Sequence, residues 1–150
     1  MLIVLLGATG SGKSTIEKRL EQQGIHKLRS HTTRCRKPKE SEDAYYFVTK
    51  DEFKKADMVE SVLYKNNFFG LSREEIKIAE TKDCVVTLDW RGAEQIKRLV
   101  PFAVTVYLDC PMYQLEKRVP QIDAQKRLQI LAQVELDSKC AADCDYIVRN

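Results

Sequence analysis

Histidine, tryptophan and paired cysteines are scarce in this chain, and each scarcity removes a class of protein. Among 150 residues there are two histidines and one tryptophan, and the five cysteines, at 35, 84, 110, 140 and 144, form no Cys-x-x-Cys pair. An odd count with no recognisable secretory leader argues against a disulfide framework and for a reducing, cytoplasmic setting. Cys140 and Cys144 have helical spacing, but without a neighbouring histidine or a second cysteine pair they do not make a metal site. The apolar start, Met1 to Leu6, is far shorter than the roughly 20 residues that cross a bilayer, so no membrane partner is expected. Charge of one sign is also lacking: 25 Lys and Arg stand against 22 Asp and Glu, a formal charge of +3. Binding duplex nucleic acid takes clustered phosphate contacts, whereas these cations are interspersed with acids, so no nucleic-acid partner is expected either. The exception is Arg34, Arg36, Lys37 and Lys39, close together in one polar stretch.

Neither repeats nor low-complexity tracts occur, and the length suits one domain, residues 1–150. With 43% hydrophobic and 31% charged residues the chain can bury a core. Residues 2–6 are continuously apolar, as in a strand covered on both faces of a parallel sheet. Residues 14–23 read as a helix, with Ile16 and Leu20 four apart, charges between them and Gly24 as the stop. Residues 25–28 read as a short strand, followed by a polar, basic stretch without a period. Aromatic and β-branched residues mark strands at 45–48 and 59–64, with a short helix at 50–56 between them and a turn at Asn66-Asn67. Residues 31–70 thus form a small lobe inserted into the βα order. Ser72-Arg73-Glu74-Glu75 has the spacing of a capping box, opening a helix toward Ala79. Strands at 85–88, 104–108 and 146–148 and a helix at 91–100 follow. Residues 113–140 are helix-rich but broken near Val119-Pro120, where proline removes a hydrogen-bond donor. The fold class expected is α/β, a three-layer core with a parallel sheet.

Gly7-Ala8-Thr9-Gly10-Ser11-Gly12-Lys13-Ser14 matches G-x-x-x-x-G-K-[ST] in full, directly after the first strand and before the first helix. Glycines permit a nest of N–H groups aimed at phosphate, Lys13 reaches the terminal phosphates and the Ser14 hydroxyl suits Mg²⁺. This is the residue pattern for ATP or GTP. No Asn-Lys-x-Asp segment is present, and the length leaves little room for a motor or receptor-coupling domain, which favours a small phosphotransferase.

Beyond the P-loop the chain resembles the guanylate kinase family along nearly its whole length. The resemblance is carried by Ser30-His31-Thr32-Thr33-Arg34, the acidic-aromatic stretch from Glu40 to Val48, Glu60, Phe68-Phe69-Gly70-Leu71-Ser72-Arg73, Leu88-Asp89-Trp90-Arg91-Gly92-Ala93 and the closing Asp145-Tyr146-Ile147-Val148-Arg149-Asn150. It implies a P-loop core with an inserted nucleoside-monophosphate lobe and a lid at about 118–127, using ATP and Mg²⁺ to phosphorylate GMP. On the donor side it adds Thr15 and Asn150 to the P-loop residues. Ser30, Arg34, Lys37 and Tyr45 would grip the acceptor phosphate, and their hydroxyl, guanidinium and ammonium groups are suitable donors. Glu60 and Asp89, completed by Ser72, would read guanine, which presents N–H donors at N1 and N2. Lys13, Arg34, Arg118 and Arg127 would stabilise charge on the transferring phosphoryl group. His26 and His31 are read as local structural residues.

Five departures from the family pattern bear on these roles, one of them Leu71 at a position that is often small or polar. Thr87 stands at an acidic position and carries no charge. Lys37 stands for an arginine, giving a point charge instead of a bidentate fork. Phe69 lacks the usual phenolic hydroxyl, leaving its ring to pack. Arg118-Val119-Pro120-Gln121-Ile122-Asp123 is a shortened link where a longer arginine-rich lid is usual. A kinase of another small phosphorylated acceptor and a noncatalytic nucleotide-binding scaffold are the alternatives, the intact P-loop counting against the second. Lys37→Arg is expected to tighten GMP binding severalfold in equilibrium titration; unchanged affinity would remove Lys37 as the cause of weak phosphate grip.

Overall fold

The computed structural model describes residues 1–118 and 124–150. In chain order its elements are β1 (Leu2–Leu6), α1 (Lys13–Gln22), β2 (His26–Lys27), β3 (His31–Thr32), a single 3₁₀ turn (Glu42–Ala44), β4 (Tyr46–Phe47), α2 (Lys50–Lys55), β5 (Met58–Tyr64), β6 (Asn67–Ser72), α3 (Arg73–Thr81), β7 (Cys84–Thr87), α4 (Trp90–Leu99), β8 (Ala103–Asp109), α5 (Met112–Arg118), α6 (Ala124–Ala141) and β9 (Tyr146–Arg149).

Two sheets organise them. The first has order β2-β7-β1-β8-β9 with every pair parallel. The apolar run of β1 explains its central place, since Leu2, Val4, Leu5 and Leu6 are all buried. The second sheet, order β4-β3-β6-β5, is mixed: β3 runs parallel to β4 and antiparallel to β6, which forms a hairpin with β5. One apolar cluster joins the two, because Leu71 of β6 and Ile76 of α3 pack with Leu2, Val4, Val86 and Ile96. A smaller cluster of Ala8, Cys110, Leu115 and Ile130 lies under the loop after β1. The far edge is tied by Asp145, whose carboxylate accepts from the Thr105 amide (2.8 Å), the Thr105 hydroxyl (2.7 Å) and Lys97 (3.0 Å). These bonds hold the Asp145 carboxyl down at about 2.

Several local expectations change. The two-residue β3 lies in the stretch that showed no period, because its pairing partners are distant in sequence. The turn joining β5 and β6 is Lys65-Asn66, one residue earlier than expected. The capping box at Ser72 is only half made: Ser72 Oγ accepts from the Glu75 amide at 3.4 Å, but the Glu75 side chain accepts from the Arg29 amide (2.7 Å) and the Tyr46 hydroxyl (2.9 Å) instead. A complete box forms at Thr49 and Glu52. The expected break at Val119-Pro120 lies outside the described residues.

Both turn residues have positive φ, 47° at Lys65 and 62° at Asn66, as a two-residue hairpin loop of the I′ kind demands. Lysine is a poor occupant, since the left-handed region costs an L residue roughly 1–2 kcal/mol. Lys65→Gly is therefore expected to raise stability by about 0.5–1 kcal/mol, after the added freedom of the unfolded chain is set against the relief. Denaturant titration checks this.

Candidate active site

The loop from Gly7 to Gly12 turns between the ends of β1 and α1 through positive φ values of 135° at Gly7, 86° at Gly10 and 98° at Gly12. At Gly7 a side chain is excluded by backbone contact as well as by conformation, and at Gly12 one would displace the Asn150 side chain. A Cβ on Gly7 would sit 2.7 Å from the Leu108 carbonyl oxygen, and one on Gly12 would sit 2.5 Å from Asn150 Nδ2. No side chain caps α1 at Gly12, so the positive end of the helix faces the loop. Lys13 Nζ lies across the loop, donating to the carbonyls of Gly7 (2.5 Å) and Ala8 (2.8 Å). Ser14 and Thr15 are exposed on the first turn, while Ser11 is buried with its hydroxyl lacking a protein partner. Two residues from the far end of the chain brace the loop. Asn150 Nδ2 donates to the Ser11 carbonyl at 2.6 Å, and Arg118 Nη1 reaches that oxygen at 3.5 Å. Arg127 is not part of this group: its described ion pair is with Glu116 of α5 at 2.6 Å, on an exposed face of α6.

A second group is built on the smaller sheet and the loop between β3 and β4. Arg34 makes a bidentate pair with Glu40, at 3.0 and 2.8 Å, and Glu40 also accepts from the Lys37 amide at 2.9 Å. The Arg34 guanidinium holds the Glu40 carboxyl down at about 2. It also lies over the Tyr45 ring, 5.4 Å from its centroid, and Phe69 meets that ring edge-on at 5.9 Å. Burial pushes the Tyr45 hydroxyl above its ordinary pKa. Ser30 is buried, with its carbonyl accepting from the Tyr46 amide at 2.9 Å, and the Lys37 side chain is exposed. The His31 ring meets that of Tyr46 at a tilt of 37°, centroids 4.7 Å apart.

Glu60 and Asp89 meet at the start of α4. Asp89 Oδ1 accepts from the Gly92 amide at 2.8 Å, which makes it the N-cap of that helix. Glu60 comes so near that a Cβ on Gly92 would lie 2.5 Å from Glu60 Oε1, so a glycine is needed for the carboxylate to reach the helix end. Only 2% of Glu60 is exposed, and its Oε2 has no hydrogen-bond partner. Burial first, and then the Asp89 charge, push its carboxyl up to about 7, against a weaker opposing pull from the Leu71 amide. Ser72 is buried as the N-cap of α3.

The roles of three residues escaped the sequence reading. Glu40 pairs with Arg34; Glu75 ties α3 to β4 through Tyr46; and Glu17, which falls among the charges between apolar positions of α1, is buried. Its carboxylate accepts from Lys27 Nζ at 2.9 Å and from Thr87 Oγ1 at 3.2 Å. The only signal for Glu17 was its position three residues after Ser14, on the same helix face. Among the described residues no group of three or more His, Cys, Asp or Glu is placed to hold a metal ion, and no helix is long and apolar enough to cross a membrane.

A parallel sheet whose central strand runs into a glycine nest and a helix, with a cation cluster on a second sheet, defines a P-loop phosphate-binding α/β protein. A family model described as guanylate kinase matches residues 1–150. The guanylate kinase of Synechococcus sp. (strain JA-3-3Ab) is 33% identical over 165 residues, covering 99% of this chain and 75% of that protein. That of Escherichia coli O157:H7 is 30% identical over 164 residues, covering 99% and 79%. The crystal structure of guanylate kinase from Anaplasma phagocytophilum has the same fold, with a TM-score of 0.75 at 24% identity over 100% of this chain and 76% of that one. The chain belongs to the guanylate kinase family.

The raised Glu60 pKa has a definite sign. Between pH 4.5 and about 7 the folded protein keeps a proton that the unfolded chain has released, so stability falls as pH rises through that window and is level above it. Glu60→Gln removes this loss. Its stability relative to the parent is expected to improve by roughly 1–3 kcal/mol between pH 5 and pH 8. Parallel stability curves for the two proteins in thermal melts would overturn the assignment.

Proposed function

We propose that this protein transfers the γ-phosphoryl group of ATP to GMP, forming ADP and GDP, with residues 31–70 as the acceptor lobe. The observation that carries the reading is the buried, partner-poor Glu60 carboxylate beside Asp89 in a chain that also keeps the whole P-loop. Guanine offers N–H donors at N1 and N2 to such acceptors and adenine offers none there. Glu60, Asp89 and the Ser72 hydroxyl then orient the base, while Ser30, Arg34, Lys37 and Tyr45 hold its phosphate. Arg34 is paired with Glu40, so gripping a phosphate means sharing or exchanging that partner. The arrangement asks for no general base. An anionic oxygen of the acceptor phosphate attacks the γ-phosphorus, a new P–O bond forms and the bond to the β-phosphate oxygen breaks, leaving ADP. Backbone amides of residues 7–14 and Lys13 hold the donor phosphates, and Arg118, already at the loop, offers charge to the transferring group.

Mg²⁺ fits the residues present. It keeps most of its ligands as water and phosphate and takes few from protein, which suits the exposed Ser14 hydroxyl on the first turn of α1. When bound, it neutralises charge on the phosphates. Arg127 enters this scheme only by leaving Glu116. The lid reading of 118–127 includes residues 119–123, which lie outside the described ones. The free cysteines among the described residues accord with a reducing, cytoplasmic setting.

A second reading, a kinase of another small phosphorylated acceptor, is favoured by Lys37 and Phe69 in the acceptor group. Coupled measurement of ADP formation from ATP and Mg²⁺ with GMP, AMP, CMP or phosphorylated sugars separates the two. GMP-dependent turnover is expected, falling at least a hundredfold in Lys13→Ala. Folded, ATP-binding protein that turns over another acceptor but not GMP would establish the second reading.

A further inference from the structure

We infer that Glu17 is the acidic positioning residue of the donor-phosphate site, supplying from α1 the negative charge that such sites ordinarily carry on a neighbouring strand; the inference rests on the donor half of the function proposed above. In P-loop phosphotransfer the cation is held by the loop Ser or Thr and an acidic residue supplied by a separate strand. Here the strand beside the loop is β7. Its last residue, Thr87, pairs in register with Leu5, two residues before Gly7. Thr87 is neutral, so this strand end brings a hydroxyl where a charge is needed.

Glu17 brings the carboxylate to that hydroxyl from the other side. It lies three residues after Ser14 and one turn after Lys13 on α1, so all three share a face of the helix. Only 7% of it is exposed, and its Oε1 accepts from Thr87 Oγ1 at 3.2 Å. The charge is thus one hydrogen bond from the strand end. Lys27 of β2 pairs with Oε2 at 2.9 Å and offsets the cost of burial. A carboxylate has about four acceptor positions, and these two bonds use two, leaving room for water on a neighbouring cation.

Stability alone does not account for the arrangement. A buried ion pair roughly breaks even against an apolar side chain of similar volume, so fastening α1 to β2 gives no reason for a carboxylate at this point. A hydroxyl-linked carboxylate beside the P-loop serine does have one: to order water around Mg²⁺ without ligating it.

The test uses the whole chain as parent, Glu17→Gln, Thr87→Asp and the double variant. Binding of a fluorescent N-methylanthraniloyl-ADP is followed as Mg²⁺ is titrated, with thermal melting recorded in parallel. Glu17→Gln is expected to bind this ADP within twofold of the parent without Mg²⁺, yet to need at least tenfold more Mg²⁺ for half of the metal-dependent change. Adding Thr87→Asp to Glu17→Gln is expected to recover most of that shift by returning the charge to the strand. An unshifted Mg²⁺ midpoint in Glu17→Gln, or a double variant no better than the single one, overturns the inference and leaves Glu17 as a tie between α1 and β2. A parent that binds the ADP with no dependence on Mg²⁺ overturns the inference alone, whereas a folded parent that does not bind the ADP at all overturns the donor reading as well.

Discussion

Burial of β1 on both faces and along both edges is the constraint from which the rest of the molecule follows. A strand paired in parallel with β7 on one side and β8 on the other has no exposed backbone except at its ends. Its C-terminal end therefore opens between the ends of two neighbours, and the chain must turn there without leaving backbone groups unpaired in the interior. Glycines at 7, 10 and 12 make that turn possible. The same geometry brings Thr87, Asp109 and Asn150 to one place, although they are far apart in the chain. Asn150 then serves two ends at once: its amide continues the sheet by donating to the Asp109 carbonyl at 2.8 Å, and its side chain fastens the loop at Ser11.

Between β3 and β4 the charges are held by pairing. Arg34 is locked to Glu40, and Glu40 in turn fixes the backbone at Lys37, so the cationic segment is shaped before any anion arrives. Glu60 is the contrasting case. It is buried without a cation, and the resulting energy is held at a point where donors from a ligand would relieve it. Gly92 makes this closeness possible by offering no side chain against the carboxylate. Stability is given up there, at a buried acceptor left open.

Some of this architecture was legible from residue order. The P-loop is a run of eight neighbours whose conformation depends on glycine and on the strand and helix beside it, so its pattern identified both its shape and its chemistry. The longer strands were also legible, because an uninterrupted apolar run such as residues 2–6 has few other ways to hide. The acceptor side was less so. Tyr45 and Phe69 were placed in it only by resemblance, and the sheet that brings their rings together contains β3, two residues that pair with partners 15 and about 38 positions away.

What the sequence by itself determined is therefore the set of local conformations: the glycine turn, the buried central strands and the helix that follows the loop. Each depends on neighbours within a few residues, whose steric and hydrogen-bonding preferences travel with the chain. The tertiary structure alone decided where the charges point. Glu75 sits at the third position of α3, where a capping box would turn it back, yet it reaches Tyr46; Glu17 sits among polar residues, yet it is buried on Lys27 and Thr87; Arg127 lies on α6, yet it pairs with Glu116 of α5. A long charged side chain has several partners within reach, and which one it takes depends on the elements that pack against it and on how much water they leave.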